Sequence, residues 1–110
     1  MSVIHVVQFK FKPGIDEQTI RRTCDDVLNL KDKAVHPTTK KPYIKSVSGG
    51  RDHSIEGLQN GFTHVFVMEF ENEQDRNFYV EQDEAHLAVV ASLGALVDGS
   101  QVLDYTPGKF

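Results

Sequence analysis

The chain has a single cysteine, Cys24, so it can form no internal disulfide. It has no excess of positive charge: 12 Lys and Arg stand against 16 Asp and Glu, for a net charge of −4 and an isoelectric point near 5.7. No basic stripe runs along it, which argues against nucleic-acid binding. No long apolar run is present, which excludes a membrane-spanning helix. A signal-peptide pattern is also missing, because the N-terminus runs straight into an alternating strand. Together these absences set the expectation of a reducing, cytoplasmic setting with no nucleic-acid or membrane partner. What remains is ordinary globular composition, 39% hydrophobic and 25% charged over 110 residues. That length suits one modest domain, residues 1–110.

Residues 3–11 alternate, with Val3, His5, Val7, Phe9 and Phe11 on one face and Ile4, Val6, Gln8 and Lys10 on the other. The period of two predicts a strand, ended by Pro13-Gly14. Asp16 can cap a helix running to about Val35, with Ile20, Cys24, Val27 and Leu28 on one stripe. Cys24 in that stripe reads as a small core side chain, since no electropositive neighbour marks a reactive thiol. His36-Pro37 to Pro42 reads as a loop, with Lys40-Lys41 a local positive spot. Tyr43 to Val47 reads as a short strand ended by Gly49-Gly50, a pair that makes a turn or bulge more readily than a phosphate cradle. Residues 51–61 read as a polar loop.

Residues 62–70 alternate again, with Phe62, His64, Phe66, Met68 and Phe70 opposite Thr63, Val65, Val67 and Glu69. Asn72 can cap a short helix through Gln82. Asp83 can cap the next, in which His86, Val89, Val90, Leu93, Leu96 and Val97 form an apolar stripe stopped by Gly99. Gln101 to Tyr105 is expected to be the last strand.

The order strand–helix–strand, repeated, suits an α+β, ferredoxin-like (βαββαβ) sheet with helices on one face. The first and third strands are expected as a parallel central pair, which would set His5 beside His64. The opposite face carries Ile4, Val6, Val65 and Val67. Branched apolar side chains there call for a partner, and a second copy stacked sheet to sheet is the simplest one.

Four segments, HVVQFKFKPG, GFTHVFVMEF, YVEQDEAH and VLDYTPGKF, resemble the dimeric α/β-barrel (stress-responsive A/B barrel) domain family over nearly the whole chain. The KDKAVHPTTKKPYIKSVSGG stretch is similar to an insertion in the family's small fungal members. The family's usual box is Asp-Pro-Ala-His or His-Pro-Ala-His; here it reads Asp83-Glu84-Ala85-His86, without the proline. A proline at that position only pre-sets φ for the first helical turn. The resemblance implies a homodimer whose two sheets close a barrel. The family includes plant heat-stable stress proteins and a plant polyketide cyclase whose catalytic pair is a tyrosine and a histidine of one helical segment. These match Tyr79 and His86, with one extra residue between them here, and two strand histidines of that cyclase's pocket match His5 and His64.

The residues themselves fit such chemistry. His86 lies on the apolar face near the positive end of its helix, which favours a neutral imidazole able to accept a proton. Tyr79 could steady an enolate by hydrogen bonding. Together they suit proton abstraction next to a carbonyl and aldol closure, with no cofactor. His5, His64, Phe66 and Met68 are the candidate substrate-binding residues. A purely structural reading stands beside each: His86 bonded to a backbone carbonyl or to Asp104, Tyr79 an aromatic of an amphipathic helix, His5 and His64 hydrogen-bonded sheet histidines. A metal site is disfavoured, because the histidines lack a close-spaced ligand pair and no carboxylate shares their face on those strands. His36 and His53 are expected to be solvated, as is the run Glu71, Glu73, Asp75. Two function classes follow: a dimeric A/B-barrel protein holding a small hydrophobic or aromatic molecule between sheet and helices, or a polyketide cyclase-like enzyme. They differ in whether a cavity lies beside His86 or Phe9, Phe66, Met68 and Leu93 fill that space.

Overall fold

A computed structural model describes residues 1–110. The elements run β1 (Val3–Phe11), α1 (Glu17–Leu28), α2 (Leu30–Lys33), β2 (Ile44–Arg51), β3 (His64–Phe70), α3 (Glu73–Glu81), α4 (Glu84–Leu93) and β4 (Val97–Tyr105). The strands form one sheet in the order β2-β3-β1-β4, with every neighbouring pair antiparallel. The ferredoxin-like architecture is therefore present, with the helices layered on one face.

The central pair differs from the expected one. A crossover through α1 and α2 leaves β1 and β2 running the same way, and the return from β2 to β3 reverses direction. β3 must then run against β1, and it does. His5 lies opposite Met68 and His64 opposite Phe9, so the two histidines sit toward opposite ends of the pair rather than side by side.

Alternation in β1 and β3 gives one buried and one open face. Val3, His5 and Phe9 are buried under the helices together with His64, Phe66, Met68 and Phe70. Val27 of α1, Leu30 of α2, Tyr79 of α3 and Leu93 of α4 close the core from above. Three acid or amide side chains start the helices as expected: Asp16 accepts from the Thr19 N–H, Asn72 from Asp75 and Asp83 from His86. The first helical stretch breaks at Asn29 and ends at Lys33.

Further boundaries move: β3 opens at His64 and not at Phe62, and β4 opens at Val97 and not at Gln101. α4 stops at Leu93 with Gly94 as its cap, and the chain is in strand by Val97, so Leu96 and Val97 do not continue the helical stripe and Gly99 lies inside β4. β2 runs through Gly49-Gly50 to Arg51 instead of ending there. Gly49 faces Phe66 across the β2–β3 ladder, and the Phe66 ring lies over it. A Cβ at this position would press into that ring and sit 2.9 Å from the Val65 carbonyl oxygen. Gly49→Ala is expected to cost about 1–3 kcal/mol, the usual penalty of overpacking. Urea unfolding checks this; an unchanged midpoint would show that the ring swings aside freely.

Candidate active site

A cleft of about 730 Å³ lies between the sheet and the α3–α4 pair, within the size range of small-molecule sites. Val7, Phe9, Met68, Val89 and Leu93 are among its apolar walls, and Val80, Leu87 and Val90 stand partly exposed toward its mouth. His5, Tyr79, His86, Asp104 and Arg76 supply its polar groups.

Helix geometry places the tyrosine and the histidine together. Tyr79 ends the buried face of α3, and His86 is the third residue of α4, its backbone N–H held by the Asp83 cap at 3.1 Å. The two rings stack with centroids 4.0 Å apart and planes 30° apart. The His5 ring meets the Tyr79 ring edge-on at 5.8 Å, so Tyr79 lies between two imidazoles. Phe70 backs Tyr79 at 5.0 Å.

Protonation follows from the surroundings. Burial pushes the His86 imidazole below the usual histidine value; the Tyr79 backbone acts against this, and a charged His5 would add to it. His86 is therefore a neutral ring. Its Nδ1 is shut off from solvent, so a ligand in the cleft meets Nε2. Burial, reinforced by the Asp83 charge, pushes the Tyr79 phenol well above its usual range, so it keeps its proton and acts as a donor. His5 is oriented from behind: its Nδ1–H donates to Asp104 Oδ1 at 2.6 Å, and Arg76 Nη1 donates to Asp104 Oδ2 at 2.8 Å. That chain fixes the orientation of the His5 ring and turns its Nε2 away from Asp104.

Of the residues picked from the sequence, the fold gathers His86, Tyr79, His5 and Met68 around this cleft. His64 and Phe66 lie elsewhere. The His64 ring contacts Thr63 Oγ1 at 2.8 Å, packs against Phe11 and lines a separate groove that Phe66 and Cys24 share. Burial raises the Cys24 thiol above its ordinary value, consistent with an inert core side chain. Asp104 serves His5 and not His86. Asp104 is the cross-strand neighbour of His5 on β4, and Arg76 is one helical turn before Tyr79; the i, i+3 spacing was the signal available for Arg76. No group of three or more His, Cys, Asp or Glu side chains is arranged to hold a metal ion.

Residues 3–107 match the model of the stress responsive A/B barrel domain. The chain belongs to that family. Among A/B-barrel relatives, the stress-response A/B barrel domain-containing protein HS1 of Arabidopsis thaliana is 30% identical over 105 residues, 96% of this chain and 89% of that one. Olivetolic acid cyclase of Cannabis sativa is 26% identical over 109 residues, 99% of this chain and 100% of its own. Among solved structures, the hydroxynitrile lyase of Passiflora edulis superposes with a TM-score of 0.84 at 22% identity, covering 99% of this chain and 96% of the lyase. A Bacteroides fragilis protein described as dimeric and ferredoxin-like superposes at 0.65 with 19% identity, over 94% of each chain. At these identities both structures speak to the A/B-barrel fold alone. No helix of the chain is long and apolar enough to cross a membrane.

Proposed function

We propose that this A/B-barrel protein is a homodimer whose protomers each hold a small, largely apolar or aromatic carbonyl compound between sheet and helices, and that His86 and Tyr79 move protons on it without a cofactor. The observation that carries this reading is the convergence of a neutral imidazole and a protonated phenol on one apolar cleft of ligand size. His86 Nε2 takes a proton from the carbon next to the carbonyl. The electron pair moves to the carbonyl oxygen, where the Tyr79 O–H and the protonated His86 face the developing charge. In a substrate with a second carbonyl, the enolate carbon attacks it, a C–C bond forms, and the alkoxide recovers the proton from His86. Similarity to olivetolic acid cyclase over the full length of both chains supports this reading. Binding without turnover, as in a stress-type A/B-barrel protein, is the alternative, supported by the similarity to HS1.

The test is exchange of deuterium into the α-carbon of phenylacetone, followed by NMR in D2O. Wild-type protein should accelerate exchange over buffer. His86→Gln should lose about 10²–10⁴-fold of that acceleration, the usual contribution of a positioned base, and Tyr79→Phe a smaller part. Shifted cleft resonances with no exchange would leave binding alone; neither effect would remove the cleft as a functional site.

A further inference from the structure

The segment between α2 and β2 does more than connect them. Residues Val35 and Pro42 pair as an isolated bridge, and the His36 N–H donates to the Lys41 carbonyl, so the segment closes on itself as a compact loop. Its end, Tyr43, packs against Phe78 of α3 at 5.7 Å and against Phe70 at 6.3 Å. His36, expected in solvent, is also half-buried here: its ring lies 6.4 Å from Phe78, and its Nε2 is 3.9 Å from Asp75. The Tyr43 hydroxyl then donates to Asp83 Oδ2 at 2.7 Å. Asp83 is 3% exposed, and its other oxygen accepts from the His86 backbone N–H at 3.1 Å.

One buried carboxylate is thus held from both sides. Its Oδ1 starts α4 and sets the backbone of His86, and its Oδ2 is fixed by a loop distant in sequence. A cap that lost its second partner would leave a buried oxygen without a donor and would be free to rotate or hydrate. We propose that Tyr43 is a positioning residue for His86, acting through Asp83, so that the 35–43 segment sets how the imidazole stands against Tyr79. Burial, then the bond to Asp83, holds the Tyr43 phenol far above its usual range, so its donor proton stays in place across the working pH range. Tyr43 and Tyr79 face Asp83, His5 and Asp83 face His86, and Asp75 faces Tyr43 and His36; of these, Asp83 favours the protonated imidazole and His5 opposes it. The proposal rests on His86 being the working base, but its test reads the free protein.

The experiment is NMR on four proteins: wild type, Tyr43→Phe, Asp83→Ser and the double variant. Serine keeps an N-cap oxygen, so α4 still starts, but it has no second oxygen for Tyr43. Tyr43→Phe should speed amide exchange at His86 about tenfold, the scale of one lost charge-assisted hydrogen bond, and should move the His86 ring shifts and titration midpoint. In the Asp83→Ser background the same substitution should add no change at His86. A Tyr43→Phe variant that lowers the melting temperature but leaves the His86 ring and amide as in wild type would overturn the proposal. An equal effect of Tyr43→Phe in both backgrounds would overturn it as well, since Tyr43 would then act by another route. Failure of phenylacetone exchange would sink the catalytic reading without touching these signals.

Discussion

Phe70→Ala should remove about 3–5 kcal/mol of stability, the range for truncating a buried phenylalanine. Phe70 has no exposed surface. On β3 it is paired with Val3 of β1 on one side and Ile44 of β2 on the other, both buried. Its ring meets Tyr79 at 5.0 Å, His5 at 6.0 Å and Tyr43 at 6.3 Å. The space left by the ring would be walled by two strand ladders, which cannot move together to fill it, so the cavity cost adds to the lost transfer energy. The aromatic contacts add about 0.5–1.5 kcal/mol per pair. A domain of this size has about 5–15 kcal/mol in total, and the melting temperature should fall by roughly 15 °C. Urea and thermal unfolding measure this, with Leu87→Ala as control: Leu87 is 42% exposed and should cost far less. A loss at Phe70 no greater than that at Leu87 would mean the core is centred elsewhere. Because Phe70 also backs Tyr79, any residual fold in the variant should show a loosened Tyr79–His86 stack.

The parts of this architecture that depend on local pattern could be read from the residues. Alternation in 3–11 and 62–70 gave the faces of β1 and β3, and Asp16, Asn72 and Asp83 marked three helix starts through side-chain chemistry that acts within one turn. Strand direction follows from the element order and not from a period of two: the crossover to β2 and the return to β3 set β3 against β1, and the expected parallel pair is at odds with that order. That is why His5 and His64 looked adjacent and are not. The end of α4 failed for a related reason: Leu96 and Val97 continue a helical stripe in sequence, yet Val97 is taken by the ladder to Phe11. Gly49-Gly50 looked like a stop because the ring that covers Gly49 comes from another strand. In the site, Tyr79 and His86 could be paired in advance through the family resemblance of the YVEQDEAH segment, and only Gln82 and Asp83 lie between α3 and α4. Tyr43–Asp83 and His5–Asp104 join positions far apart in the chain, and no local spacing announces them.

Replacing Val65 and Val67 together by Asp should turn a dimer into a monomer. The open face of the sheet holds Val65 and Val67 on β3, Ile4 and Val6 on β1, and Leu103 and Tyr105 on β4, in register across the three strands. No helix covers it. Val67, Leu103 and Tyr105 keep 37%, 56% and 52% of their surface in the single chain. The patch has a polar border: Gln8 and Gln101 at one end, and Glu69 with Lys45 3.2 Å away at the other. An apolar centre with such a rim is the anatomy of an interface, and a two-fold pairing would bring the same residues of each copy together. Two carboxylates per copy, one at its centre and one in the row of Gln8 and Gln101, would be desolvated against their own images, a cost of several kcal/mol with no partner charge to offset it. Sedimentation should therefore show wild-type protein as a dimer at micromolar concentration and the double variant as a monomer. Leu103→Glu, on β4, should weaken the same dimer while leaving the helix-facing core untouched. A wild-type protein that sediments as a clean monomer, or a double variant that stays dimeric with an unchanged circular dichroism spectrum, would show that the copies do not meet through this face.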